Sequence, residues 1–257
     1  MTDVDCRATP AYRRYARKGQ ILKCQQLIII EKYYFMKLFS RFITAIIILQ
    51  FLCIEGIAQQ NPPFYNEIAT FKKEDSLKPP PKGAILFVGS SSFRGWNNIQ
   101  SYFPGYTIIN RGFGGSSLPD AIRYAQDIIT PYKPKQVVIY CGENDFTVDG
   151  VTADTVFNRF TSLFEIIRKE LPKTHILFVS IKPSPSRLKY MSEMVKANEM
   201  ISNYLKNYRR TGYVDVYSKM LLEDGSPMPN IFKDDQLHMT EAGYAIWQKA
   251  IKPYLKK

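Results

Sequence analysis

Ala84-Ile85-Leu86-Phe87-Val88-Gly89-Ser90-Ser91-Ser92-Phe93-Arg94-Gly95-Trp96 is the stretch whose reading decides the fold. Its first five residues, Ala84 to Val88, are apolar without a break. A run that short, flanked by Gly and Pro, predicts a strand buried on both faces, since a half-exposed strand would alternate apolar with polar. The strand stops at Gly89 and three hydroxyls follow. A serine at the carboxyl end of a buried parallel strand stands where open α/β sheets place their ligands. Backbone N–H groups of the helix that follows would point toward it.

Working outward, residues 106–110, 136–141, 175–180 and 213–217 are further runs of strand length. Residues 118–129, 152–171 and 191–208 carry apolar side chains at helical spacing, and Pro131 and Pro172 stop the first two. Thr240 is placed to cap a closing helix that reaches about Tyr254. Five strands alternating with helices predict an α/β fold, a three-layer α/β/α sandwich around a five-stranded parallel sheet, with right-handed crossovers.

The 257-residue chain reads in four parts. Residues 36–58 have the layout of a secretory signal peptide: a basic start at Met36-Lys37, an apolar stretch from Phe42 to Ile54, and small residues at Gly56 and Ala58. That stretch is shorter than the roughly 20 apolar residues a membrane span needs. Residues 1–35 then read as an over-extended start of translation, residues 59–83 as a Pro-bounded lead-in with a short helix near 65–76, and residues 84–257 as the main domain. The mature protein is expected in the periplasm or outside the cell, without a stable membrane span. Cys141 is the one cysteine outside the leader, so the fold is expected to rest on its core and not on disulfides. Nine Lys/Arg and four Asp/Glu lie in residues 1–58, so the net charge of +12 falls to +7 over the remainder. The remaining positive residues are scattered, as at Lys72-Lys73, Arg209-Arg210 and Lys256-Lys257. No Lys/Arg stripe interleaved with aromatics appears, which argues against nucleic acid as a partner.

In a parallel sheet the loops after the strands share one rim. Those loops are Ser90–Ser92, Gly112–Ser117, Gly142–Asp145 and Pro183–Ser186, the ones rich in Gly, Ser and Asn. A serine nucleophile needs a base, and histidine is the usual one. The chain has two histidines. His175 opens the fourth strand at the opposite end of the sheet and reads as a structural or surface residue. That leaves His238, with Asp235 three residues before it, close enough for the carboxylate to hold one imidazole nitrogen.

Four blocks stand in order: Gly89-Ser90-Ser91, Asn110-Arg111-Gly112-Phe113-Gly114-Gly115, Gly142-Glu143-Asn144 and Asp235-Gln236-Leu237-His238. Together they resemble the four blocks of the SGNH (GDSL-like) hydrolase superfamily, most closely its platelet-activating-factor-acetylhydrolase-like and carbohydrate-esterase-like branches. Trp96 also fits, and the likeness covers most of residues 84–254 and implies the flavodoxin-like type of five-stranded sheet. The resemblance implies Ser91 as nucleophile, Asp235 and His238 as the rest of a triad, and Ser91, Gly115 and Asn144 as the oxyanion hole. The family's usual Asp is Ser90 here, so altered loop hydrogen bonding is expected at that position.

This chemistry needs neither metal nor cofactor. The expected activity is that of a secreted serine esterase acting on short-chain, above all acetyl, esters of small molecules or glycans. Phe93, Arg94, Phe113 and Arg187 stand on or beside the rim as candidate contacts to the alcohol part. A lysophospholipase-type esterase, an acetyltransferase and a non-catalytic glycan-binding module are the competing readings on the same fold. The sequence leaves the oligomeric state open.

Overall fold

The apolar run does become the interior strand β1 (Ile85–Gly89) of a five-stranded sheet in the computed structural model, which describes residues 29–44 and 61–257. The other strands are β2 (Ile108–Gly112), β3 (Gln136–Tyr140), β4 (His175–Val179) and β5 (Thr211–Val214). The order is β2-β1-β3-β4-β5 and every pairing is parallel. Successive side chains of a strand point to opposite faces, and both faces are covered. Leu86 and Val88 enter one core with Val137, Ile139 and Phe178. Ile85 and Phe87 enter the other with Val138, Tyr140 and Val179.

The first core is closed by α1 (Tyr65–Leu77), α4 (Leu118–Arg123), α5 (Ala125–Ile128), α6 (Ala153–Glu170) and α7 (Met191–Leu205). The second is closed by α2 (Ser91–Arg94), α3 (Ile99–Tyr102) and α8 (Glu241–Ile251), through Phe93, Trp96, Ile99 and Trp247. The three-layer α/β/α sandwich is therefore as expected. The chain's direction of travel across the sheet reverses at β1, so a crevice opens at its carboxyl end, beside Ser90–Ser92.

Several boundaries differ from the sequence reading. β2 runs two residues further than expected, because its polar residues find partners at the sheet edge. The Asn110 side-chain amide donates to Phe93 O (2.7 Å), and Arg111 reaches Asp75 (2.5 Å) and the Tyr132 hydroxyl (2.7 Å). These Arg111 contacts also pin α1, which makes the lead-in part of the domain. The helix expected over 118–129 is broken at Tyr124 (φ −100°, ψ 8°), whose hydroxyl donates to Pro63 O (2.7 Å). β5 begins at Thr211 and ends at Val214, because Asp215 is exposed and caps the next turn by accepting from Ser218 N–H. Thr240 stands at the N-cap of α8, but its buried hydroxyl makes no hydrogen bond.

The chain divides into two compact units, Met1–Asn61 and Pro62–Lys257. In the first, residues 29–44 are helical and expose large apolar side chains such as Phe35 and Phe42. The expected signal segment 36–58 falls outside the described residues beyond position 44. No described helix is long and apolar enough to cross a membrane.

Gly89 has φ +148°, and a Cβ there would strike the Tyr140 carbonyl. Gly105 has φ +83° with open space around it. Gly89→Ala is expected to lower stability by ~3 kcal/mol or more, against about 1 kcal/mol for Gly105→Ala, as read from urea midpoints.

Candidate active site

The exit from β1 is held on both sides. Ser90 N–H donates to Tyr140 O on β3 (3.1 Å), and Phe113 N–H donates to Gly89 O (2.9 Å). The next residues enter α2, with Ser90 at its N-cap and Phe93 and Arg94 N–H donating to Ser90 O. This geometry sorts the three adjacent hydroxyls. Ser90 and Ser92 are 2% and 3% exposed, whereas Ser91 is half-buried and reaches the rim. Ser90, which replaces the family's usual Asp, caps nothing with its side chain.

Gly115 has φ +79°, a left-handed backbone that glycine takes without strain, and faces open space. The Asn144 side-chain amide donates to Ser116 O (2.9 Å). An amide nitrogen carries two hydrogens, so one is left for a ligand. Among the described residues, neither Ser91 N–H nor Gly115 N–H donates to a protein acceptor. The two loops are fastened together by Asp145, which is fully buried and accepts from Leu118 N–H (2.9 Å) and Arg159 Nη1 (2.8 Å). Burial raises its pKa, and the Leu118 N–H and Arg159 oppose that rise.

His238 and Asp235 are brought together by a tight turn. Gln236 adopts a left-handed backbone (φ 55°), and Lys233 N–H donates to His238 O (2.7 Å). Asp235 Oδ1 accepts from the backbone N–H of Leu237 and of His238 (2.9 Å each), and Oδ2 lies 2.6 Å from His238 Nδ1. Burial works against ionisation of Asp235, but the His238 ring and these two N–H groups outweigh it and hold the carboxyl well below its usual range. The turn is anchored to the rim at two points. Ser186 N–H donates to Gln236 O (3.1 Å), and the Tyr244 hydroxyl donates to Ser92 O (2.9 Å). Tyr244 also stacks on Trp96 at 4.8 Å between ring centroids. The segment bearing His238 is thus tied to the residue next to Ser91 and to the loop after β4. Among the described residues the Ser91 hydroxyl makes no side-chain hydrogen bond of its own.

The four candidate substrate contacts divide. Phe93 and Phe113 are fully buried and belong to the two cores, so neither lines the rim. Each ring is held by aromatic neighbours: Phe93 packs edge-on against Phe87, Tyr140 and Trp247, and Phe113 against Phe64 and Tyr124. Arg94 is exposed and packs over Gly114, with Nε 3.3 Å from Glu67 of α1. Arg187 is half-buried in the loop after β4, and its Nε is buried without a partner.

The sequence reading missed a buried polar cluster beneath the rim. Lys182 Nζ donates to Glu143 Oε1 (2.9 Å), the Tyr140 hydroxyl donates to Glu143 Oε2 (2.6 Å), and Ser184 Oγ donates to Oε1 (3.3 Å). Lys182 is 0% exposed. Burial, and then the Glu143 charge, push the Tyr140 phenol well above its usual range. The cluster joins the loops after β3 and β4, one of which carries Asn144. Its one sequence signal is a lysine placed directly after Ile181, at the exit of the strand-like run Ile176–Val179. Among the described residues, no group of three or more His, Cys, Asp or Glu is placed to hold a metal.

A 2-1-3-4-5 parallel sheet whose rim gathers these four blocks defines an SGNH-type hydrolase fold. The chain belongs to the GDSL-like lipase/acylhydrolase family, whose model matches residues 83–246. Three solved structures share the fold at low identity. A Streptococcus pneumonia protein named for platelet activating factor is 21% identical, with TM-score 0.65 over 82% of this chain and 99% of its own. An acetyl esterase mutant with an acetate ion is 15% identical, with TM-score 0.53 over 66% of this chain and 95% of its own. A carbohydrate esterase family 3 protein from Talaromyces cellulolyticus is 16% identical, with TM-score 0.53 over 66% and 95%. No curated protein matches the chain.

Breaking a buried ion pair strands the surviving charge. Lys182→Met is expected to cost ~3–5 kcal/mol of stability, and the double change Lys182→Met with Glu143→Gln to recover part of it. A urea double-mutant cycle reads the difference.

Proposed function

We propose that the chain is a serine esterase that cleaves short-chain acyl esters through Ser91, His238 and Asp235. The observation that carries this reading is the 2.6 Å contact between His238 Nδ1 and Asp235, on a turn tied to the strand end where Ser91 is the one hydroxyl of three that is not buried. With Nδ1 engaged by the carboxylate, Nε2 is the nitrogen left to take a proton. Ser91 Oγ attacks the ester carbonyl as His238 accepts its proton, and the ionised Asp235 stabilises the imidazolium. The carbonyl oxygen becomes an anion, which the N–H groups of Ser91 and Gly115 and the Asn144 amide would receive. Losing one such donor typically costs about 10²–10³ in turnover. His238 then protonates the departing alcohol, and water attacks the acyl-enzyme by the same route in reverse.

The small acyl group is supported by the sequence after β1, which carries no long apolar segment to cover a fatty chain. A Cβ on Gly115 would meet nothing within 4 Å, so that loop leaves space for an acyl group. The printed names of two fold neighbours, an acetyl esterase and a carbohydrate esterase, support acetyl removal from a glycan or other small alcohol. Arg94 and Arg187 remain the candidates for contact with the alcohol part. The basic-then-apolar layout of residues 36–58 supports export from the cytoplasm.

Ser91→Ala is expected to abolish hydrolysis of p-nitrophenyl acetate without changing Tm, and Ser92→Ala to retain turnover. The reverse pattern would move the nucleophile one position along the loop. The Asp235 carboxyl is held well below its usual range, so its ionisation is complete before the acid limb of a base-catalysed profile begins. The log of kcat/KM is therefore expected to rise with unit slope and then level off; a slope of two would mean that a second group must also ionise.

A further inference from the structure

Positive residues that stand far apart in the sequence meet at the amino edge of the sheet. A cleft of about 760 Å³ opens there, beside the starts of β3, β4 and β5. It lies one strand length, roughly 17 Å, from the rim that holds Ser91. Lys133, Lys135, Lys173, Arg210, Lys256 and Lys257 line it, together with His175 and a single acidic side chain, Glu170. Among the described residues none of the six cations pairs with a carboxylate. Arg210 donates instead to Lys173 O (3.0 Å), and the adjacent Arg168 to Thr174 O (2.9 Å). Such a concentration of like charge is unfavourable until an anion enters. His175 feels it: burial first, then Lys256, Arg210 and Arg168, push its imidazole below the usual range.

The charges are mounted on a fixed frame. His175 N–H donates to Lys135 O (3.0 Å), Ile176 N–H to Arg210 O (2.9 Å), and Lys256 N–H to Gln136 Oε1 (2.9 Å). Two of the cationic residues hold a left-handed backbone, Lys133 at φ 43° and Arg210 at φ 60°. Glycine would take either conformation without strain, so local backbone preference is not what puts a long cationic side chain there.

We propose that this cleft binds a soluble oligoanion bearing two or more phosphate or sulfate groups. Its size falls in the usual ~300–1,000 Å³ of small-ligand sites. Six unpaired cations call for several negative charges in one ligand. The concave shape admits a small molecule or the end of a chain more readily than a flat lipid surface. The site is separate from the ester chemistry and acts as a second binding function of the same domain.

The test is calorimetric titration of the full chain with inorganic tripolyphosphate at low and at high salt, alongside sedimentation with phosphatidylserine/phosphatidylcholine vesicles. One tripolyphosphate per chain is expected, with affinity falling about tenfold or more as salt rises. Lys133→Gly removes a charge while relieving the backbone, so it is expected to keep or raise Tm and to weaken binding about threefold. Adding Lys135→Gln and Lys256→Gln is expected to weaken binding about tenfold or more, with p-nitrophenyl acetate turnover unchanged in each variant. Absence of tripolyphosphate binding at low salt overturns the proposal. So does binding that the triple variant leaves intact, or retention on vesicles with no tripolyphosphate bound. If the triple variant does not fold, Lys133→Gly alone decides, and unweakened binding in it counts against the cleft.

Discussion

The site depends on the close approach of two backbones at Gly89. β1 leaves the sheet with no space for a side chain against the Tyr140 carbonyl. Its last carbonyl is committed to the loop after β2 and the next N–H to the end of β3. That double attachment turns the chain so that Ser90 and Ser92 face inward and Ser91 faces out. A side chain at position 89 would force either the strand or the turn to move, and the orientation of Ser91 with it. The preference for one hydroxyl among three is a consequence of backbone packing.

Around this fixed point the rim is assembled by buried polar groups, whose interactions are strong because water is excluded. Asp145 ties the glycine-rich loop to the Asn144 loop, and Glu143 with Lys182 ties the Asn144 loop to the loop after β4. The loop after β4 then holds the Asp235–His238 turn through Ser186. Each tie consumes a polar group that would be costly to bury alone. The result is a chain of contacts linking three loops and the C-terminal turn, all resting on parallel strands that end at one edge. The α1 helix extends this support, since Glu67 reaches both Arg94 and the N–H of Gly114 (3.4 Å).

Much of this was legible in the sequence because it depends on local pattern. The unbroken run at Ala84–Val88, short and flanked by Gly and Pro, reads as a doubly buried strand, and the alternation of strands and helices points to a parallel sheet covered on both faces. The ordered blocks around Ser91, Gly115, Asn144 and His238 carried the family. What the sequence did not disclose depends on contacts between distant segments. Phe93 and Phe113 flank rim residues in sequence, yet both turn into the core, where aromatic rings from distant segments receive them. Lys182 looked like an ordinary loop lysine until Glu143, some forty positions earlier, was placed against it. The break at Tyr124 reflects a hydroxyl bound to the lead-in, which no helical periodicity encodes. The scattered lysines and arginines likewise gave no sign of the cleft they share at the opposite edge.

The central claim is that the packing at Gly89 presents Ser91 alone as a nucleophile to a base held by Asp235. A fluorophosphonate, which phosphonylates an activated serine with release of fluoride, reads this most directly when the labelled peptide is mapped by mass spectrometry. The account predicts a single adduct, on Ser91, that disappears in His238→Ala while the protein remains folded. An adduct on Ser90 or Ser92, or labelling of Ser91 that persists without His238, would contradict it.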